Sequence, residues 1–326
     1  MLAYAMRRVL VSVPILIIAT FVVFMMVSAS GDPLSELRTR NPPPPPRTLQ
    51  LEAHRLHLDE PLLARYWHWI TGVLHGDFGP SVQSTQVIGP ELVHRFLVTF
   101  RLIGLAMLLA LVLAVLVGVV SAVKQYSGAD YAFTFFGFLF LAMPSFWFAI
   151  LLKEAGISFN DAVGNQVLFT IGDSSIYLEG GKWASALDIL GHMILPTISL
   201  ALLSFAAWSR FQRASMLEVL GSDYVRLARA KGLGRTTVMA RHALRTALIP
   251  LVTVTALDLG AIISGAVVTE NVYQWQGAGS YLLESIQHDD VYAVAGWLLI
   301  SATFIILFNL AADLLYAVLD PRIRYA

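Results

Sequence analysis

The stretch "DYVRLARAKGLG", residues 223–234, places three basic residues within six positions of a chain in which 13% of the residues are charged. It lies inside a basic segment, residues 210–245, that contains only two acids, Glu218 and Asp223. Eight of the chain's 22 Lys and Arg residues fall in this segment: Arg210, Arg213, Arg226, Arg229, Lys231, Arg235, Arg241 and Arg245. Positive charge gathered in one place of an apolar chain indicates both a side of a membrane and a candidate contact surface.

The same stretch predicts a short helix from Asp223 to Lys231. Ser222 is a residue type preferred at an N-cap, and Gly232 suits the left-handed position that follows a last helical turn. Four side chains share one face at the i, i+3, i+4 and i+7 spacing: Tyr224, Leu227, Ala228 and Lys231. Anchoring to anionic lipid requires only charge. A capped helix with an apolar face therefore indicates a shaped partner. We expect a second helix to begin at Thr237 and to run into the next apolar block.

Composition indicates an integral membrane protein. The chain has 326 residues, of which 57% are hydrophobic, and a mean hydropathy of +0.68. Long apolar runs of this kind span bilayers as helices. Six runs are long enough, which predicts an all-α fold with six transmembrane helices: residues 9–29, 99–123, 132–152, 192–212, 248–269 and 291–319.

The loops predict the orientation of these spans. Arg7 and Arg8 precede the first span, and the basic segment 210–245 adjoins the fourth and fifth spans, so both are expected in the cytoplasm. Residues 270–290 contain four acids and no Lys or Arg, which places them outside. With six spans, the N and C termini are then both cytoplasmic.

The first extracytoplasmic loop, about residues 30–98, has features of its own. Five consecutive prolines, Pro42 to Pro46, predict a stiff polyproline spacer. Residues 58–76 predict a helix that Asp59 caps and Gly76 ends. Its expected face is Leu62, Tyr66, Trp67, Ile70 and Leu74. This helix either meets another protein or packs on the spans with Trp67 and Trp69 at headgroup level.

Several chemistries are excluded or not indicated. Absence of cysteine excludes disulfides, thiolate metal sites and cysteine nucleophiles, and the net charge of zero gives no general attraction to nucleic acid. No glycine-rich phosphate loop ends in Lys and Ser or Thr, since Lys231-Gly232 is in the wrong order and Gly181-Lys182 precedes Trp183. The eight histidines lack converging ligands for a metal. The chain is therefore not expected to hydrolyse ATP or to be an enzyme.

Asp258 is the acid in the middle of a predicted span. A carboxylate at that depth is costly, and such residues usually face a cavity or a partner. One interpretation is a pore-lining group that meets a cationic part of a substrate. The other is a structural carboxylate that pairs with a group on a neighbouring helix or is protonated.

These motifs together resemble the permease subunits of ABC importers. "DYVRLARAKGLG" followed by "RHALRTALIP" is similar to their cytoplasmic EAA loop, in the variant of the oligopeptide and dipeptide permease family, B-type subunit. The resemblance covers nearly the whole chain through further motifs in order: "GDPL" (31–34), "LDEPLLARYWHWITGVLHGDFGPS" (58–81), "MPSFWFAILL" (143–152), "HMILPTISL" (192–200), "SGAVVTENVY" (264–273) and "NLAADLLYAVLDPRIR" (309–324).

The resemblance implies a type I importer fold in a bacterial plasma membrane. Residues 1–30 would be an added N-terminal helix, 31–93 an extracytoplasmic loop with a short helix, 94–319 the five-span core, and 320–326 a cytoplasmic tail. Within the core, 222–232 would be the coupling helix, seated in a groove of an ATPase subunit. Its implied contact residues are Asp223, Tyr224, Arg226, Leu227, Ala228, Arg229, Lys231 and Gly232.

The implied partners are a second, C-type permease, two ATPase subunits that hold ATP and Mg²⁺, and an extracytoplasmic peptide-binding protein. Three departures concern Arg226 where the general pattern has Glu, Gln276-Gly277-Ala278-Gly279 in place of a Pro-Gly-x-Gly turn, and Asp258 where an uncharged polar residue is expected. They leave the cargo open among peptides, glutathione, nickel complexes and haem. A stand-alone secondary transporter or channel is the alternative class, and it would predict inverted repeats and several charged residues within spans.

Overall fold

A computed structural model describes residues 2–83, 86–175 and 181–319. Over these residues the chain is helical, with α-helices numbered α1 to α14 in chain order and one π-helical stretch. The chain divides into two compact units: Met1–Thr99 with Gln276–Leu310, and Phe100–Trp275 with the end of the last helix. The predicted tail 320–326 lies outside the described residues.

In the part of the chain that the structure describes, the first unit contains two long apolar helices, four short ones and the beginning of a further long helix. Its helices are α1 (Leu2–Ser30), α2 (Ser35–Arg38), α3 (Pro46–Arg55), α4 (Leu62–Val73), the beginning of α5 (Ile88–Val123), α13 (Ala278–Gln287) and most of α14 (Val291–Leu319). Phe24 of α1 is fully buried, with its ring centroid 5.6 Å from that of Tyr66 and 5.7 Å from that of Tyr292. Aromatic burial of this kind holds α4 and the start of α14 against α1.

The segment 31–93 differs from the prediction in two respects. It contains three short helices rather than one, and α4 has no side-chain cap because Pro61 is its N-cap. Of the expected face, Tyr66 is buried, whereas Trp67 and Leu74 are 65% and 82% exposed; α4 also buries Arg65 and Trp69. Tyr66 and Trp69 bury because their polar tips find acceptors, the carbonyls of Ile17 and Phe78 respectively.

The second unit contains the remaining helices. They are the rest of α5, α6 (Gly128–Ala142), α7 (Ser145–Val163), α8 (Lys182–Leu220), α9 (Asp223–Ala230), α10 (Arg235–Thr237), the π-helical stretch Val238–Leu244, α11 (Arg245–Leu257) and α12 (Leu259–Tyr273). The 39-residue α8 is central, because α6, α7, α11 and α12 all pack on it. The helix expected from Thr237 is present and begins two residues earlier, at Arg235.

Within the described residues, four helices are long and apolar enough to cross a membrane, or five spans if the bent pair α6 and α7 is one. The pair bends by 109° at Pro144, inside the predicted span 132–152. Proline donates no backbone hydrogen bond and pushes the preceding residue, Met143, into an extended conformation. The predicted span 248–269 is likewise divided, at Asp258, into α11 and α12. Six spans remain a prediction.

Candidate functional site

The predicted helix in the basic segment is present as α9. It runs from Asp223 to Ala230, and Lys231 is its C-cap, so its end agrees with the prediction within one residue. Gly232 follows with a φ of 78°, the left-handed conformation expected of it. Ser222 occupies the N-cap position, but its hydroxyl donates to the carbonyl of Val219 and makes no cap. The stop signal was therefore correct, and the cap was not.

The predicted docking face of α9 is exposed except for Ala228, and a different side of the helix packs on the rest of the chain. Val225 and Ala228 are buried and join a cluster formed by the ends of neighbouring helices: Ala122, Met216, Val219, Val238, Ala243 and Ala247. Tyr224 and Leu227 are 43% and 56% exposed. Ala228 is thus on the opposite side from the face to which it was assigned. Val225 and Ala228 are both apolar and three residues apart, and this spacing places them on the same, buried side of the helix.

The exposed side of α9 combines apolar and cationic groups. Arg226 makes an ion pair with Asp223 at 3.1 Å, and both side chains are largely in solvent. Arg229 and Lys231 are exposed and have no acidic partner within the described parts of the chain. The exposed side chains of Tyr224 and Leu227 are therefore bordered by positive charges. That combination suits a protein contact, since apolar anchors and arginines are enriched in interfaces.

A buried ion pair fixes the end of α8 that leads into α9. Arg213 of α8 donates to both oxygens of Asp130 at 2.8 and 2.9 Å, and Asp130 also accepts from the hydroxyl of Ser121 on α5. The Asp130 side chain is only 4% exposed. One of the eight basic residues of segment 210–245 is therefore a structural tie between α5, α6 and α8. Neither local sequence pattern indicates this pair, because its members are 83 residues apart.

A π-helical stretch, Val238–Leu244, follows α9 and α10. Its wider turns are rare in proteins and occur often at functional sites. Val238 and Ala243 are buried in the same cluster as Val225 and Ala228, so this stretch and α9 share one small core. A displacement of α9 would therefore be transmitted to α8 and to the start of α11 through direct packing.

Asp258 lies at the break between α11 and α12. Its Oδ2 accepts a hydrogen bond of 2.7 Å from the indole Nε1 of Trp208, a fully buried residue of α8. A neutral donor on a neighbouring helix is the kind of partner that the structural interpretation required. Across residues 2–83, 86–175 and 181–319, no group of three or more His, Cys, Asp and Glu side chains is arranged to hold a metal ion.

Comparison with known families gives two matches that together cover most of the chain. Residues 114–325 match the family "Binding-protein-dependent transport system inner membrane component". Residues 1–91 match the N-terminal family of binding-protein-dependent transport system membrane components.

Relatives with curated names match along their whole length. An oligopeptide transport system permease protein of Mycobacterium tuberculosis is 38% identical over 324 residues, which is 99% of each chain. A dipeptide transport system permease protein of Escherichia coli is 38% identical over 341 residues, covering 100% of this chain and 99% of the relative. An oligopeptide permease protein of Bacillus subtilis is 34% identical over 330 residues and covers 100% of both chains.

Among solved structures, a chain of the MetNI methionine ABC transporter in an inward-facing conformation is similar in fold. The TM-score is 0.52 at 16% sequence identity, and the match covers 70% of this chain and 96% of the MetNI chain.

Proposed function

The chain belongs to the family of binding-protein-dependent transport system inner membrane components, and from this premise we propose that it is the permease subunit of an ATP-driven peptide importer. The observation that carries the proposal is identity of 34–38% along the full length of curated oligopeptide and dipeptide permeases. Family membership favours such a subunit over the stand-alone transporter or channel that the sequence left open.

In this proposal α9 is the coupling helix. Its exposed Tyr224 and Leu227 contact an ATPase subunit, with Arg226 and Lys231 bordering the contact. Val225 and Ala228 hold the helix to the cluster beneath it, which includes Met216 and Val219 of α8. Movement of the ATPase subunits on ATP binding then reaches the spans through this packing.

The orientation follows from the same proposal. The basic segment 210–245 and both termini face the cytoplasm, and 31–93 and 270–290 face outward. Six spans in a bacterial plasma membrane satisfy this arrangement if α6 with α7, and α11 with α12, each form one broken span. Broken helices at membrane depth are tolerated where neighbouring helices satisfy the freed backbone groups.

The proposed assembly contains this chain, a C-type permease, two ATPase subunits and an extracytoplasmic peptide-binding protein. ATP and Mg²⁺ belong to the ATPase subunits, so this chain needs no cofactor and is no enzyme. Peptide is the cargo that the named relatives favour, and glutathione, nickel complexes and haem are the alternatives. Asp258 is retained as a candidate pore residue.

Two substitutions test the coupling helix in the assembled transporter reconstituted in vesicles. Leu227→Asp places a charge on the exposed apolar face, and Gly232→Leu forces a side chain into a backbone conformation with a φ of 78°. We expect both variants to insert normally and to lose ATP-driven peptide uptake and co-purification of the ATPase subunits. Leu63→Asp is the matched control, because Leu63 of α4 is similarly exposed but lies in segment 31–93. Normal uptake by the Leu227→Asp transporter would refute the assignment.

A further inference from the structure

A cavity of about 400 Å³ lies beside α9, on the side that faces the helix ends. Its walls are aliphatic where α5, α8 and the π-helical stretch contribute, through Val123, Leu220 and Met239 among others. Two arginines also line it: Arg229 of α9 and Arg235, the first residue of α10. Arg229 therefore does not simply extend the exposed face of Tyr224 and Leu227, and its guanidinium is available to a ligand in the cavity.

The charge of this cavity is uncompensated. No acidic residue lines it, and no acid of the described residues lies within ion-pair distance of Arg229 or Arg235. Of the two acids in segment 210–245, Asp223 is paired with Arg226. Two guanidinium groups with free donors select a phosphate or a carboxylate, because such bonds are charge-assisted and often bidentate.

The size and location of the cavity restrict the class of ligand that it can bind. The cavity is more than ten times the roughly 30 Å³ that one water molecule occupies, so a bare inorganic anion would leave most of it unfilled. The aliphatic walls suit hydrocarbon. Ala122 and Val123 are the last turn of α5, and Leu220 is the last residue of α8, two helices apolar enough to cross a membrane. Val123 is also the last residue of the predicted span 99–123, so the cavity lies beside the expected level of the lipid headgroups.

We propose that this cavity binds an anionic phospholipid, with its phosphate between Arg229 and Arg235 and the start of an acyl chain against Val123, Leu220 and Met239. This inference rests on the proposed function, which places segment 210–245 in the cytoplasm, where anionic lipids attract basic groups. A lipid in this position bridges α9 to the ends of α5 and α8. The bound lipid therefore stiffens the coupling helix against the body of the permease.

The test uses the whole transporter, reconstituted in nanodiscs of phosphatidylcholine with or without phosphatidylglycerol. The variant is Arg229→Ala with Arg235→Ala, and the matched control is Arg226→Ala with Arg241→Ala, which removes two exposed charges of the same segment outside the cavity. A direct hydrogen bond from a cavity arginine to the lipid phosphate contributes about fivefold in affinity, and the control arginines, which do not line the cavity, make no such bond. We expect the cavity variant to bind phosphatidylglycerol roughly 30-fold more weakly by native mass spectrometry, and the control to bind it within a few-fold of the unmodified protein.

Three results would overturn the inference. Equal phosphatidylglycerol retention by variant and control would show that the arginines do not hold lipid. Displacement of the lipid by inorganic phosphate alone would show a free-anion site. Loss of ATPase co-purification in the cavity variant without any bound lipid would show that an acidic side chain of the ATPase fills the cavity. Uptake by the Leu227→Asp transporter separates the two proposals, because retained uptake refutes the coupling role and leaves the lipid measurement unaffected.

Discussion

Two charge-rich segments of this chain differ in whether their arginines are paired with nearby acids. In segment 31–93 and just after it, arginines pair with acids a few residues away: Arg38 with Asp32, Arg55 with Glu52, and Arg95 with Glu91. Segment 210–245 contains eight basic residues and only two acids. Arg229 and Arg235 line a cavity there, and neither has an acidic partner among the described residues. Locally neutralised charge stabilises the segment that carries it. Charge left unpaired is available to lipid or to another subunit.

Individual arginines depart from this pattern in each segment: Arg226 of segment 210–245 pairs with the nearby Asp223, and Arg47 of segment 31–93 is exposed. Arg65 of α4 is 7% exposed, and its guanidinium carbon lies 5.8 Å from the ring centroid of Phe24 and 5.9 Å from that of Tyr292. Arg213 is neutralised by Asp130, which is 83 residues away in the sequence. The contrast therefore concerns the partner of each arginine rather than the segment alone. Four substitutions probe it, each directed at a differently partnered charge.

Asp130→Ala is expected to have the largest effect. Removing Asp130 leaves the guanidinium of Arg213, which is 30% exposed, without its counter-ion, and we expect a cost of about 3 kcal/mol, the lower end of the range for fully buried pairs. We expect a marked fall in the midpoint of thermal unfolding in nanodiscs. Asp223→Ala is the control, because the Asp223 side chain is 95% exposed and its pair with Arg226 contributes little. The exchange Asp130→Arg with Arg213→Asp should recover part of the loss, and equal midpoints for the two single alanine variants would contradict the structural role of Asp130.

Asp258→Ala tests a carboxylate whose partner is neutral. The substitution leaves the indole N–H of buried Trp208 without an acceptor, which typically costs about 1–3 kcal/mol. Asp258→Asn keeps an acceptor oxygen in place, so the free energy of unfolding of this variant should lie within about 0.5 kcal/mol of that of the unmodified protein.

Uptake separates the two interpretations of Asp258. If the Asn variant transports cationic and neutral peptides in the unmodified ratio, the carboxylate is structural. If it loses cationic peptides selectively, Asp258 lines the pathway. Trp208→Phe, which removes the donor and retains a ring, supplies an independent check on the hydrogen bond.

Arg55→Ala tests the locally paired class. Arg55 donates to Glu52 and, at 2.7 Å, to the carbonyl of Ser81, so its removal loses contacts on both sides. We expect a destabilisation of about 1–2 kcal/mol, since hydrogen bonds to charged groups contribute about that much. Arg47→Ala on the same helix is the control, because Arg47 is exposed and no change beyond about 0.5 kcal/mol is expected. Equal midpoints of thermal unfolding for the two variants would show that the local pairing of Arg55 does not stabilise the protein.

Local signals in the sequence predicted the features that local chemistry decides. The range of α9 and its end at Gly232 follow from a helix pattern and a glycine stop, and the start of the helix at Arg235 fell within two residues of the expected one. The positions of the four helices that are long and apolar enough to cross a membrane were also predicted, because composition over a long window is sufficient for that.

Features that depend on distant residues were missed. Asp130 and Arg213 are far apart in sequence, and nothing in either local pattern indicates the other. Ala228 has the same spacing from residues on both faces of α9, so only the cluster beneath it decides its side. The break at Asp258 similarly has no local marker at that position, and its partner Trp208 lies 50 residues earlier. Proline at 144 was visible, but its presence alone does not distinguish a bend from a break.

The smallest expected effect concerns Asp290, an acid that accepts hydrogen bonds from three neutral donors and lies within the electrostatic influence of Arg55. The Ser81 hydroxyl and the backbone N–H groups of Val82 and Ala293 donate to it at 2.6, 2.9 and 3.0 Å. Burial nevertheless raises the pKa of the Asp290 carboxyl above its ordinary value of 3.8. The folded state therefore binds a proton more tightly than the unfolded state, and this contribution to stability is complete below pH 3.8 and is lost as pH rises through the folded-state pKa.

Asp290→Asn, which still accepts hydrogen bonds and still caps α14, should abolish that dependence. The measurement is the midpoint of thermal unfolding of both proteins across the acidic range. As pH increases, the thermal midpoint of the unmodified protein should fall relative to that of the variant. A difference that moves the other way would mean that the three donors outweigh burial, and Asp290 would then join the charges stabilised in their ionised form, as Asp130 is by Arg213.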